Sequence, residues 1–87
     1  VLDGTAAWLA EHPGPREDEV LTTVRGYVEL REGDRLAVQE GRMVPATARQ
    51  RAGAAREGMA TRARLLLGDQ ADDLRAFLAD RVAGGAW

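Results

Sequence analysis

The stretch Gly41-Arg42-Met43-Val44-Pro45 lies at mid-chain and constrains the fold more than any other segment. Glycine takes the left-handed backbone that closes a helix. Proline fits the first turn of a new helix, where no amide partner is needed, and it pushes the preceding residue, Val44, into extended backbone. Helical periodicity runs on both sides of this interval. The chain therefore reads as two helices folded back on each other, an αα-hairpin with Met43 and Val44 at its corner.

The helix before the corner opens at Pro15, and Glu17, Asp18 and Glu19 place negative charge at the positive end of its dipole. Val20, Leu21, Val24, Tyr27 and Val28 then fall on one face. After Val28 the pattern blurs. Val28, Leu30, Leu36 and Val38 alternate about Gly33, as in a β-hairpin with a Glu-Gly-Asp turn. The Ala, Gln, Glu and Arg residues between them favour helix, and an isolated two-stranded hairpin is barely stable in water. A helix over 16–40, bent at Gly33, is the expectation; an α+β fold with a short hairpin at 28–38 is the alternative.

After the corner a helix is expected over 46–67. Its seam is Ala48, Ala52, Ala55, Met59, Ala63 and Leu66, spaced by four, three, four, four and three residues in a coiled-coil-like rhythm. Four of these six are alanines, which let a neighbouring helix come close but bury little area each. Gly53 and Gly58 weaken this helix, so it needs a partner, and close backbone contact there would explain them.

Two shorter helices complete the expectation. One begins at Asp3 as N-cap, uses Ala6, Trp8, Leu9 and Ala10 as apolar material, and ends at His12-Pro13. Another, 70–83, follows Gly68-Asp69 with Asp69 as N-cap, buries Ala71, Leu74, Phe77 or Leu78, and Val82, and stops at Gly84-Gly85. The fold class is thus all-α: a small helical bundle of about four helices built on an αα-hairpin, one domain over 1–87. The chain opens on Val1 rather than Met, so it reads as a processed form or a piece of something longer, and a removed signal peptide is compatible with it.

Composition limits the function. A chain of 87 residues without cysteine has no disulfide or thiolate staple, and a domain of this size often leans on a partner or a second copy. No serine or cysteine nucleophile is present, and none of the five threonines has a histidine at a suggestive spacing. The one histidine, His12, reads as a helix-end residue rather than a metal ligand. Asp72-Asp73 and Glu17-Asp18-Glu19 sit where helix N-termini favour negative charge. No enzyme activity, cofactor or metal is expected, and no apolar run reaches the length of a membrane span.

Every one of the 12 basic residues is an arginine. Over 42–68, Arg42, Arg49, Arg51, Arg56, Arg62 and Arg64 stand against Glu57 alone, whereas 1–19 is acidic. Arg42, Arg49 and Arg56 line up along one helix face, and the plain role for such residues is to pack their stems over the seam and pair with acids on the first two helices. A net charge of −2, and the lack of aromatics interleaved with the arginines, disfavour nucleic acid. The function expected is a protein-interaction or assembly module, an accessory subunit or a self-associating homo-oligomer. Its interface is expected at Ala48, Ala52, Ala55, Met59, Ala63 and Leu66 with Arg49 and Arg56. The aromatics at the ends, Trp8 and Trp87, are expected to be exposed and are the next interface candidates. A regulatory nucleic-acid-binding domain using the basic helix 42–64 is the runner-up.

Two resemblances accompany this reading. "GRMVPATARQR" followed by "LLLGDQADDLRAFL" is similar to the helical-hairpin pattern of Spy-like periplasmic chaperones, which implies a chaperone or sensor hairpin. Val44 stands where that pattern has threonine, and its glutamine is missing. "REGDRLAVQEGRMV" resembles the second half of a swapped-hairpin DNA-binding domain of the AbrB type, which implies strands here. No residue role carries over from either.

Overall fold

Four helices run in order: α1 (Leu2–Glu11), α2 (Glu17–Gln39), α3 (Pro45–Leu67) and α4 (Gln70–Ala79). The structure is a computed structural model and describes residues 2–80. Contacts join α2 to α3, α1 to α2, α1 to α4 and α3 to α4, so the helices form a closed ring of neighbours. Short connections make each helix antiparallel to the next.

The Gly41–Pro45 corner forms as the sequence predicts. The amide of Gly41 donates to the carbonyl of Val38 and that of Arg42 to the carbonyl of Ala37, the two bonds of a Schellman motif. Gly41 has φ +77°, and Val44 is extended before Pro45 in the first turn of α3. Helix α2 is continuous through Gln39. The hairpin alternative at 28–38, and with it the strands implied by the AbrB-type resemblance, is thereby excluded. The four alternating residues spread around the helix instead: Val28, Leu30 and Val38 are half-buried and Leu36 is exposed.

Two helix starts differ from expectation. Asp3 lies inside the first turn of α1, where it still complements the dipole. Asp69 has helical backbone and makes no side-chain capping bond. Gly68, at φ +61° and ψ −132°, makes the whole turn from α3 to α4, so the chain is already helical at Asp69 and its carboxylate cannot reach the free amides. Ala71 and Asp72 donate instead to the carbonyls of Gly68 and Asp69. The expected continuation of α4 past Asp80, with Val82, Gly84, Gly85 and Trp87, lies outside the described residues.

The core has two layers. At the base, Trp8 and Leu9 of α1, Val20 of α2, and Leu74 and Leu78 of α4 form one cluster, with Leu66 and Leu67 of α3 packed against it. Thr5 is buried as well, while Ala6 and Ala10, expected to be apolar material, are exposed. Phe77 is only half-buried; Leu78 takes the core position. A second layer joins Val24 and Tyr27 of α2 to Met59 of α3, with Leu2, Val28 and Ala55 at its margin. Leu2 is the start of α1, so α1 covers α2 no further than this level. Helices α2 and α3 span about 34 Å at 1.5 Å per residue, more than twice the length of α1 or α4. Among the described residues the hairpin therefore continues as two helices alone, over 29–39 and 45–54. We call this part the arm; it gives the molecule its long axis of 42 Å against 22 and 17 Å.

Candidate functional site

Helix geometry explains the arm's chemistry. The seam of α2 advances by four and three residues through Val20, Val24 and Tyr27, and the same rhythm next reaches Arg31, Asp34 and Val38. Polar residues thus occupy seam positions where the arm begins. Arg31 lies over the Tyr27 ring, 5.6 Å from its centroid, and donates to the Tyr27 hydroxyl at 3.3 Å. Asp34 is buried, and its Oδ2 accepts from Arg51 Nε of α3 at 2.8 Å. Ala37 fills the next turn. The Asp34 carboxylate is the first cause of the upward shift of the Arg51 pKa, through that hydrogen bond.

This pair sits between two helices beside Ala37, Ala48 and Ala52. A buried carboxylate without its partner is destabilising, whereas an apolar pair of similar volume is often at least as stable as the ion pair. Arg51→Leu is therefore expected to lower the urea midpoint. Asp34→Leu combined with Arg51→Leu is expected to restore it to wild type or above. A double variant less stable than Arg51→Leu alone would show that the pair fixes the register of the arm.

Arg35 donates to both Glu32 oxygens, at 3.0 and 2.6 Å. That hydrogen bonding holds the Glu32 carboxyl below its ordinary range. Because the folded-state value is the lower one, the pair supports the helix above the unfolded carboxylate range. This support is lost as the pH falls through the folded value. Arg42 pairs with Glu40 at 3.3 Å and Arg62 with Glu19 of α2 at 3.8 Å. Of the pairings expected between the arginines of this segment and acids on the first two helices, those of Arg51 and Arg62 form, both with α2, while Arg49 and Arg56 pair with no acid among the described residues.

The seam residues divide by depth. Met59, 3% exposed, and Ala63 are buried within the bundle, so a partner meets them only if the hairpin opens. Ala48, Ala52, Ala55 and Leu66 are half-buried. Arg49 and Arg56 are exposed. Trp8 is not the exposed aromatic the sequence suggested. It is 1% exposed and its ring stacks on His12 with centroids 4.2 Å apart. The His12 imidazole Nδ1 and backbone amide both meet the Trp8 carbonyl, at 2.9 and 3.0 Å, closing the end of α1. The close backbone contact expected at Gly53 and Gly58 is likewise absent, because a Cβ built on either meets nothing within 4 Å.

What the arm exposes is mixed. Leu36 is 40% exposed and Val44, at the corner, 65%. A cavity of about 180 Å³ lies between the two helices, lined by Arg31, Asp34, Arg35, Ala48, Arg49 and Ala52. Sequence reasoning singled out Arg49 and the alanines but not Arg31, Asp34 or Arg35. The signal was the three–four rhythm of α2 continuing through polar residues. Among the described residues no group of three or more His, Cys, Asp or Glu is placed to hold a metal ion. No helix among them is long and apolar enough to cross a membrane. Comparison of the chain with protein-family models, with curated proteins and with solved structures finds no match.

Proposed function

We propose that this chain is a non-enzymatic protein-interaction or assembly module whose contact element is the arm. One observation supports this reading. Beyond the level of Leu2 the hairpin is two helices thick among the described residues, and Ala37 is the one buried apolar residue there, with Leu30, Val38, Ala48 and Ala52 half-buried. Such a contact buries little area, so a partner laid along the arm would add much of the stabilisation that the arm lacks by itself. Exposed Leu36 and Val44 are apolar contacts for that partner.

Size-exclusion chromatography with light scattering tests self-assembly directly. The expected result is a mass above the monomer that falls back when Leu36→Glu and Val44→Glu are combined. A monomer at every concentration would overturn self-assembly and leave a different protein as the partner.

A further inference from the structure

We propose that the groove between Arg31, Arg35 and Arg49 anchors a carboxylate carried on an acidic segment of a partner protein. This rests on the reading of the arm as a contact element and specifies the chemistry of what it contacts. Arg31, Arg35 and Arg49 line the groove with one carboxylate, Asp34; counting the ion-pair partners Arg51 and Glu32, four arginines stand against two carboxylates, an excess of two positive charges. Each carboxylate is already engaged, Asp34 by Arg51 and Glu32 by Arg35. Asp34 lines the groove, but its charge is tied to Arg51 at 2.8 Å and its side chain is largely covered. Arg31 is held in place by Tyr27 and carries no carboxylate partner, and Arg49 makes no hydrogen bond or ion pair among the described residues.

The floor is Ala48 and Ala52, which is why space remains between two packed helices. The cavity of about 180 Å³ is equivalent to roughly six water volumes, enough for one carboxyl-bearing side-chain end. Arg31 and Arg35 also border a second, wider groove with Tyr27 and Val28 on its wall. A partner segment would therefore set its carboxylate between guanidiniums and an apolar neighbour against Tyr27. The planar guanidiniums of Arg31 and Arg49 suit this better than point charges, because a guanidinium can offer two parallel donors to a carboxylate, while Arg35 borders the groove with its own donors already given to Glu32 and Gln39. The chain's own acidic run does not fill the role: Glu17, Asp18 and Glu19 form the first turn of α2, and Glu19 faces Arg62. Nothing aromatic besides Tyr27 lies along the groove to stack bases, which favours an acidic protein over a nucleic acid.

The test is fluorescence anisotropy of a short labelled oligoglutamate peptide titrated with the whole chain at low salt. Binding is expected, weakening as salt rises. Arg31→Gln with Arg49→Gln is expected to weaken it about tenfold, the equivalent of losing one charge-assisted contact. Arg16→Gln with Arg75→Gln, which removes the same charge from the base, is expected to leave it within about twofold. Arg49→Gln alone keeps the test valid if the Arg31 variant loses structure, since the Arg49 side chain makes no hydrogen bond or ion pair among the described residues. Equal loss in both double variants would reduce the effect to net charge and overturn the proposal. Absence of peptide binding, or preferential binding of inorganic phosphate or a single-stranded oligonucleotide, would overturn it too. The light-scattering result is read without peptide, so failure of the groove and failure of the self-assembly reading are told apart.

Discussion

Trp8→Ala is expected to remove a large part of the fold's stability. Trp8 is buried in the base cluster, where side chains of all four helices meet: Leu9 beside it on α1, Val20 on α2, Leu66 and Leu67 on α3, Leu74 and Leu78 on α4. It also supports the His12 ring that closes α1. Removing a buried tryptophan side chain costs about 3–5 kcal/mol through lost transfer energy and the cavity left behind. A chain of this length carries roughly 4–13 kcal/mol in total at typical per-residue stability. For a domain of this size the loss corresponds to a fall in Tm of roughly 12–40 °C, followed by far-UV circular dichroism. Leu65→Ala is the control: Leu65 is 69% exposed and its loss is expected to stay within about 0.5 kcal/mol. A Trp8 variant that melts like the Leu65 variant would mean the base cluster does not tie the helices together.

The hairpin was legible because its corner is written in residues with few alternatives. Gly41 takes a positive φ that other residues rarely adopt and Pro45 holds Val44 extended, and the Schellman bonds and the turn into α3 follow. Helix α2 was harder past Val28. There the seam passes through Arg31 and Asp34, and a reading that weighs only apolar residues loses the stripe where partners on other residues replace burial. Tyr27 and Arg51 are those partners, and Arg51 is 17 residues from Asp34 in the chain. No local pattern announces such a pair.

The candidate site was half legible for the same reason. Arg49 and the alanines were visible as a rhythm on α3. Their relation to Arg31 and Arg35 depends on which face of α2 crosses them, and that is fixed by packing at the other end of the hairpin. Depth was not legible either. Met59 and Ala63 belong to the same sequence stripe as Ala48 and Ala52. Among the described residues it is the extent of α1 and α4 that seals the first pair within the bundle and leaves the second on the arm. The burial of Trp8 is not legible in its position along the chain: α1 turns its Trp8 side into the base.

Replacing Gly26, Gly33, Gly53 and Gly58 together by alanine is expected to raise stability by about 2–4 kcal/mol. All four lie inside helices, all are exposed, and a Cβ at any of them meets nothing within 4 Å. Alanine is better than glycine in a helix interior by about 0.5–1 kcal/mol per site, chiefly because the unfolded chain loses freedom. The sites are well enough separated for the gains to add approximately. Gly4, Gly41 and Gly68 should behave oppositely. A Cβ at Gly4 would stand 2.7 Å from Cδ2 of Leu78, which is fully buried and cannot swing aside. Gly41 and Gly68 need positive φ, which costs other residues about 1–3 kcal/mol. Thermal melts of the fourfold variant and of the three single ones check the sign at each position. Gly33 and Gly53 lie within the arm, so the fourfold variant should also slow amide exchange there more than in the base. If the arm melts as readily as before while the base gains, its looseness comes from the alanine seam and the Asp34–Arg51 layer rather than from glycine. The arm would then need its partner for order, whatever helix propensity it is given.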